Sequence, residues 1–103
     1  MYRFDWDNAK DRSNRRKHGM SFEEACLAFD DPHCVFIQDR VEHGEVRWQA
    51  LGRVNRTLIV LVAHVILDDT DNEIVGVERI RIISARAASR SEKEFYEAEN
   101  RLV

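Results

Sequence analysis

Arg81, Arg86 and Arg90 stand out from an otherwise apolar run, Ile80-Arg81-Ile82-Ile83-Ser84-Ala85-Arg86-Ala87-Ala88-Ser89-Arg90, which reads as a strand running into a helix start. An arginine on rigid backbone near a strand end offers a planar, permanently charged fork to a phosphate. Arg15-Arg16-Lys17-His18-Gly19 adds further cations and an imidazole, the side-chain type that exchanges protons near neutral pH. These residue types suit cleavage of RNA by its own 2′-hydroxyl. A base takes the hydroxyl proton, cations stabilise the phosphorane-like transition state, and an acid protonates the leaving oxygen. The route asks for no metal and no cofactor, and none is expected. The acidic residues fall in connecting segments rather than at paired positions on facing elements. Cys26 and Cys34 form neither a CxxC pair nor a metal spacing and read as reduced, buried thiols.

Each candidate carries a plainer alternative. Arg81 and Arg86 are the first choices for stabilising transition-state charge, but a surface arginine also pairs readily with a nearby carboxylate. Regular alternation puts Ile80, Ile82, Ser84 and Arg86 on one face and Arg79, Arg81, Ile83 and Ala85 on the other. The two arginines therefore share a site only if a bulge or the strand end breaks the pattern. Arg53 follows Gly52 at the end of its strand, where a glycine permits close backbone approach. His18 can serve as general base or acid, or can sit at a helix C-terminus because the macrodipole favours a cation there. His64, among Val60, Val62 and Val65, reads as a hydrogen-bonded core histidine, and His33 and His43 read as loop residues. Lys10, Arg12, Arg15, Arg16 and Lys17 on a first helix, and Arg90 further on, can bind RNA phosphates or form solvated faces. Trp6 and Trp48 can stack on bases, though aromatics of this size bury area first.

The elements that must position these residues follow from pattern. Residues 2–5 alternate as a short edge strand. Asp7 caps a polar helix over 8–18, closed by Gly19. With Ala9 as its only aliphatic side chain, that helix has no apolar face to bury and belongs on the surface or across a partner. Ser21-Phe22-Glu23-Glu24 opens a second helix with a Phe22, Ala25, Cys26, Phe29 stripe, and Asp30-Asp31-Pro32 stops it. Strands are expected over 34–37, 46–53, 57–67 and 77–86. The third is apolar on both sides and so is central. Asn55-Arg56 and Asp68-Asp69-Thr70-Asp71-Asn72 connect them. Ser89-Arg90-Ser91-Glu92 caps a last helix to about residue 100, with Phe95, Ala98 and Leu102 as its apolar stripe. The fold class is α+β in one domain over 1–103, with N-terminal helices packed on an antiparallel sheet of about four strands and a short C-terminal helix. A length of 103 residues, 44% of them hydrophobic and 34% charged, suits one core. No apolar run is long enough to span a bilayer, and the charged N-terminus lacks a signal-peptide core, which predicts a cytoplasmic protein. The net charge of −3 excludes indiscriminate binding of nucleic acid. Residues 1–19 nevertheless carry +3 and residues 79–103 carry +2, so a basic surface forms if the two ends meet.

Three groups of residues carry a family resemblance: Phe4-Asp5-Trp6-Asp7 with Lys10; Arg16-Lys17-His18-Gly19-Met20-Ser21-Phe22-Glu23-Glu24-Ala25; and Phe29-Asp30-Asp31-Pro32. They resemble, in order, the first half of the BrnT toxin family. Gly52-Arg53, Arg81-Ile82-Ile83-Ser84-Ala85-Arg86 and Ser89-Arg90 with Glu92 resemble its second half. The resemblance implies a RelE-like fold and a toxin of a type II toxin–antitoxin module, a ribonuclease that shuts down translation. It also implies a BrnA-like ribbon-helix-helix antitoxin. The two form a heterotetramer that represses its own promoter, so that operator DNA is met only through the antitoxin. Two other readings stay open at this level: a catalytically weak subunit serving mainly as co-repressor, and an unrelated protein-binding module that uses its strand edges.

Overall fold

A computed structural model describes residues 1–67 and 76–101. The acidic connection at Asp68–Asn72 and Leu102, the proposed partner of Phe95, lie outside the described residues. The order is β1 (Tyr2–Asp5), α1 (Asn8–His18), α2 (Phe22–Ala25), a 3₁₀ segment (Cys26–Asp30), β2 (Val35–Glu42), β3 (Glu45–Arg53), β4 (Ile59–Leu67), β5 (Glu78–Ala87) and α3 (Arg90–Asn100).

The sheet has five strands, ordered β1-β5-β4-β3-β2. This corrects the expected antiparallel sheet of about four. β2 to β5 are antiparallel, but β1 pairs parallel with β5, Tyr2 opposite Glu78 and Asp5 opposite Arg81. The helices α1 and α2 therefore lie between the first strand and the rest of the sheet, as part of a long crossover rather than a preface. β2 runs on past the polar Gln38-Asp39-Arg40 through a bulge, its pairing with β3 slipping between Gln38 and Val41.

One face of the sheet packs under α1, α2 and the 3₁₀ segment. There Phe22, Ala25, Ala28 and Phe29 meet Ala50, Val60, Val62, Ile80, Ile82 and Ala85. His64 belongs to this face: it is 1% exposed, shares a hydrogen bond with the Val62 carbonyl and lies edge-on to Phe29. Burial lowers its pKa, so its imidazole is neutral and structural. The opposite face carries a smaller cluster of Leu51, Ile59, Leu61 and Ala88 closed by Tyr96 of α3. The buried residue of α3 is thus Tyr96. Phe95, expected to face the core, is 42% exposed.

α1 is anchored by a polar side chain. β1 ends opposite Arg81, which leaves β5 beyond that point as a sheet edge. The buried Asn14 carboxamide fills it: Nδ2 donates to the Ala85 carbonyl at 2.8 Å, and Oδ1 accepts from the Ala85 N–H at 3.0 Å. Nδ2 also donates to the Met20 carbonyl at 3.0 Å. One amide thus pairs with β5 as a neighbouring strand would, which satisfies backbone groups that burial would otherwise orphan. Asp7 and the left-handed Gly19 cap the helix as expected.

Candidate functional site

Gly52 fixes the geometry of the candidate site. An added Cβ would lie 2.3 Å from the Ala28 carbonyl oxygen, so only glycine lets the 3₁₀ segment press onto β3. That contact delivers Asp31, the residue ending the segment, to the end of β3. Asp31 Oδ2 accepts from the Arg53 N–H at 2.8 Å and from the Tyr96 hydroxyl at 2.5 Å, while Oδ1 accepts from the His33 N–H at 2.9 Å. Burial works to raise the Asp31 pKa, but the Tyr96 hydroxyl and the two N–H donors outweigh it, and the net shift is downward. Tyr96 moves the other way. Burial first, and then its bond to Asp31, push its hydroxyl up to about 12, so it keeps its proton at neutral pH.

Arg53 lies above this pair. Its guanidinium carbon is 5.7 Å from the centre of the Tyr96 ring, and Nη1 donates to the Arg56 carbonyl at 2.8 Å. Neither contact involves a carboxylate, so the guanidinium's charge stays available to an anion. His33, Arg53, Tyr96, Asn100 and Arg101, with Pro32 and two carboxylates, Asp31 and Glu97, line a cavity of about 440 Å³. His33, which reads as an uninformative loop residue in sequence, thereby shares a wall with Arg53. Asp31 and Tyr96 were missed as well. The segment Asp30-Asp31-Pro32 was legible as a helix stop, and nothing in the chain's local pattern points from it to a tyrosine 65 residues away.

Arg86 and Arg81 are each engaged with a carboxylate. Arg86 forms a two-pronged pair with Glu92, Nη1 to Oε1 at 2.8 Å and Nη2 to Oε2 at 2.9 Å. That fork, with the Ser89 N–H, holds the Glu92 carboxyl down at about 2. Arg81 donates to Glu45 at 2.7 Å. The two arginines do share a sheet face. The pairing slips between Ala63 and His64, which face Ser84 and Ile82, so Ile83 bulges out of β5. Ala85 thereby joins Ile80 and Ile82 in the core, and Arg86 faces the same way as Arg81. Arg53 and Arg86 flank α3, one held at Tyr96 and the other at Glu92.

His18 is exposed at the end of α1 and lines a different cavity, with Lys10 and Lys17. Arg16 is exposed on α1 outside that cavity, and Arg90 pairs along α3 with Glu94 at 3.4 Å while its side chain is 95% exposed. The structure therefore gathers Lys10, Lys17 and His18 in one place, Arg81 and Arg86 on one face, and Arg53 at a third position beside His33. Trp6 packs edge-on against Phe22 and serves the core. The thiols of Cys26 and Cys34 are free and half-buried, and burial pushes them up to about 11 and about 12. No helix among the described residues is long and apolar enough to cross a membrane.

The chain is thus a small α+β protein, a five-stranded mixed sheet with helices on both faces. The crystal structure of the Brucella abortus ribonuclease toxin BrnT superposes on it with a TM-score of 0.60 at 25% sequence identity, covering 87% of this chain and 99% of that one. The family model for BrnT, the ribonuclease toxin of type II toxin–antitoxin systems, matches residues 6–92, and the chain belongs to that family. Membership of a type II family implies an antitoxin partner. No curated protein sequence matches the chain.

Proposed function

We propose that this protein is an RNA endonuclease that inhibits translation, with its active site at the Arg53 cavity. The observation that carries the reading is the Arg53 guanidinium, fixed by Tyr96 and the Arg56 carbonyl and in no ion pair among the described residues, in one cavity with His33. The substrate's 2′-hydroxyl loses its proton to a base and attacks the adjacent phosphorus. The bond from phosphorus to the 5′-oxygen breaks, that oxygen takes a proton, and a 2′,3′-cyclic phosphate remains. Arg53 stabilises the charge that grows on the phosphoryl oxygens. His33 is the proton-transfer group, since Tyr96 holds its proton too tightly. The nucleophile comes from the RNA itself, so the route needs no metal.

Asp31 and Gly52 act as positioning residues for Arg53. Arg81 and Arg86 can join the phosphate path only by exchanging Glu45 and Glu92 for a phosphate. The antitoxin that family membership implies is a BrnA-like ribbon-helix-helix protein. It neutralises the toxin in a heterotetramer and brings the pair to operator DNA.

The test is to induce the chain alone in a bacterium and map new RNA 5′ ends. The native chain is expected to create them, and Arg53→Ala to reduce their formation by ~10²–10³, the cost of losing one preorganised charge-stabilising group. Equal cleavage by Arg53→Ala would overturn the site. Unimpaired growth with soluble native protein and no new ends would overturn the toxin reading and favour the co-repressor role.

A further inference from the structure

We infer that the seam between α1 and β5 is a second anion site, separate from the Arg53 cavity, that takes a phosphate group of the RNA backbone. It deepens the RNA-cleaving reading and rests on it for the identity of the ligand.

The cavity has a volume of about 250 Å³ and is lined by Lys10, Ser13, Lys17, His18 and Ser84, with Asn14 and Ile83 completing the wall. It contains two lysines, an imidazole and two hydroxyls, and no carboxylate. In a chain of net charge −3 that composition is selective. Arg15, Arg40, Arg47, Arg81, Arg86 and Arg90 each have an acidic partner. Neither Lys10 nor Lys17 has one among the described residues. The helix dipole accounts for cations in the last turn of α1, at Lys17 and His18, but not for Lys10. Lys10 is the third residue of the helix, where the dipole disfavours positive charge. An anion between Lys10 and Lys17 removes that conflict.

The walls are also rigid. Asn14 ties α1 to β5 through both polar groups of Ala85, and the bulge at Ile83 turns Ser84 out at the strand edge. The lysines project from one side of a fixed seam, and the Ser84 hydroxyl from the other. A phosphodiester, which carries one negative charge and oxygens that accept from ammonium and hydroxyl groups, matches these donors. β5 lies two strands from β3, about 10 Å across the sheet.

The test uses the full chain and a short 2′-O-methyl RNA, which lacks the attacking hydroxyl and stays intact. Binding is followed by fluorescence anisotropy over a range of salt concentrations. Lys10→Gln/Lys17→Gln is expected to weaken binding about tenfold. It should lower the slope of log Kd against log salt by about 0.7 for one lost phosphate contact. The control Arg3→Gln/Lys93→Gln removes the same formal charge at exposed positions elsewhere and is expected to change affinity less than twofold. Unchanged affinity and slope in the lysine variant would overturn the site, as would an equal loss in the control. Inorganic phosphate is titrated in parallel while the His18 ring resonances are watched. A phosphate-dependent shift without any change in the RNA slope assigns the site to free anions and overturns the backbone reading. The two proposals fail separately. Normal RNA binding by the lysine variant leaves Arg53 untouched, whereas undiminished cleavage by Arg53→Ala leaves the seam untouched.

Discussion

Replacing Asn14 with alanine should be among the most damaging single changes in this protein. The side chain makes three hydrogen bonds, two with the Ala85 backbone and one with the Met20 carbonyl, at 2.8–3.0 Å. At about 1 kcal/mol net each, their loss amounts to about 3 kcal/mol. The Ala85 N–H and carbonyl would then face the alanine methyl with no partner, in a site where Asn14 is 5% exposed. The added desolvation penalty brings the expected loss to about 3–5 kcal/mol, a large share of the ~5–15 kcal/mol that holds a domain together. Urea unfolding followed by the fluorescence of Trp6 and Trp48 measures it directly. Asn14→Asp separates hydrogen bonding from volume, because it keeps the shape but sets oxygen lone pairs against the two carbonyls. It should cost at least as much at neutral pH and recover in part on acidification, when protonation restores a donor. A loss below about 1 kcal/mol in Asn14→Ala, or a harmless Asn14→Asp, would refute the account of how a polar helix is held.

Gly52→Ala drives a methyl into the Ala28 carbonyl and must displace the 3₁₀ segment. The expected cost is about 1–3 kcal/mol by thermal unfolding, with a larger proportional loss of RNA cleavage because Asp31 moves with the segment; unchanged cleavage would separate Asp31 from the site. Glu92→Gln tests the Arg86 pair by pH. The native carboxyl sits at about 2 against an ordinary 4.5, so its contribution is complete above about 4.5 and is lost as pH falls through about 2. The shift corresponds to about 3 kcal/mol, which solvent screening of a pair with Arg86 41% exposed reduces to about 1–2 kcal/mol. The variant should lack that stability at neutral pH and unfold with a flatter acid limb, whereas identical profiles between pH 2 and 5 would show the pair to be inert.

Much of the fold was legible because its signals are local. Asp7 and Gly19 bound α1 to the residue, and Ser89 with Glu92 forms the expected capping box at the start of α3. The alternation of β3 correctly divided Ala50 from Leu51 between the two faces, and the doubly apolar β4 is central. The misses share one cause, partners far away in sequence. Four alternating residues announce a strand but not its neighbour, so the parallel β1–β5 pairing could not be read. The capping sequence at Ser21 starts a helix, but packing against Gly52 decides that it tightens into a 3₁₀ turn after Ala25. Arg53 was reachable from its glycine. Asp31, His33 and Tyr96 were not, because their roles exist only once β3, α3 and the 3₁₀ segment meet.

Two closures of the fold span long stretches of chain: Asp31 with Tyr96 at the Arg53 cavity across 65 residues, and the β1 ladder with β5 across 76. Contacts of that separation are entropically expensive to nucleate and form late. Helices α1 and α3 can gather early from local signals, but an intermediate holding only those helices contains no assembled pocket. The Arg53 cavity therefore exists only once these distant segments have met.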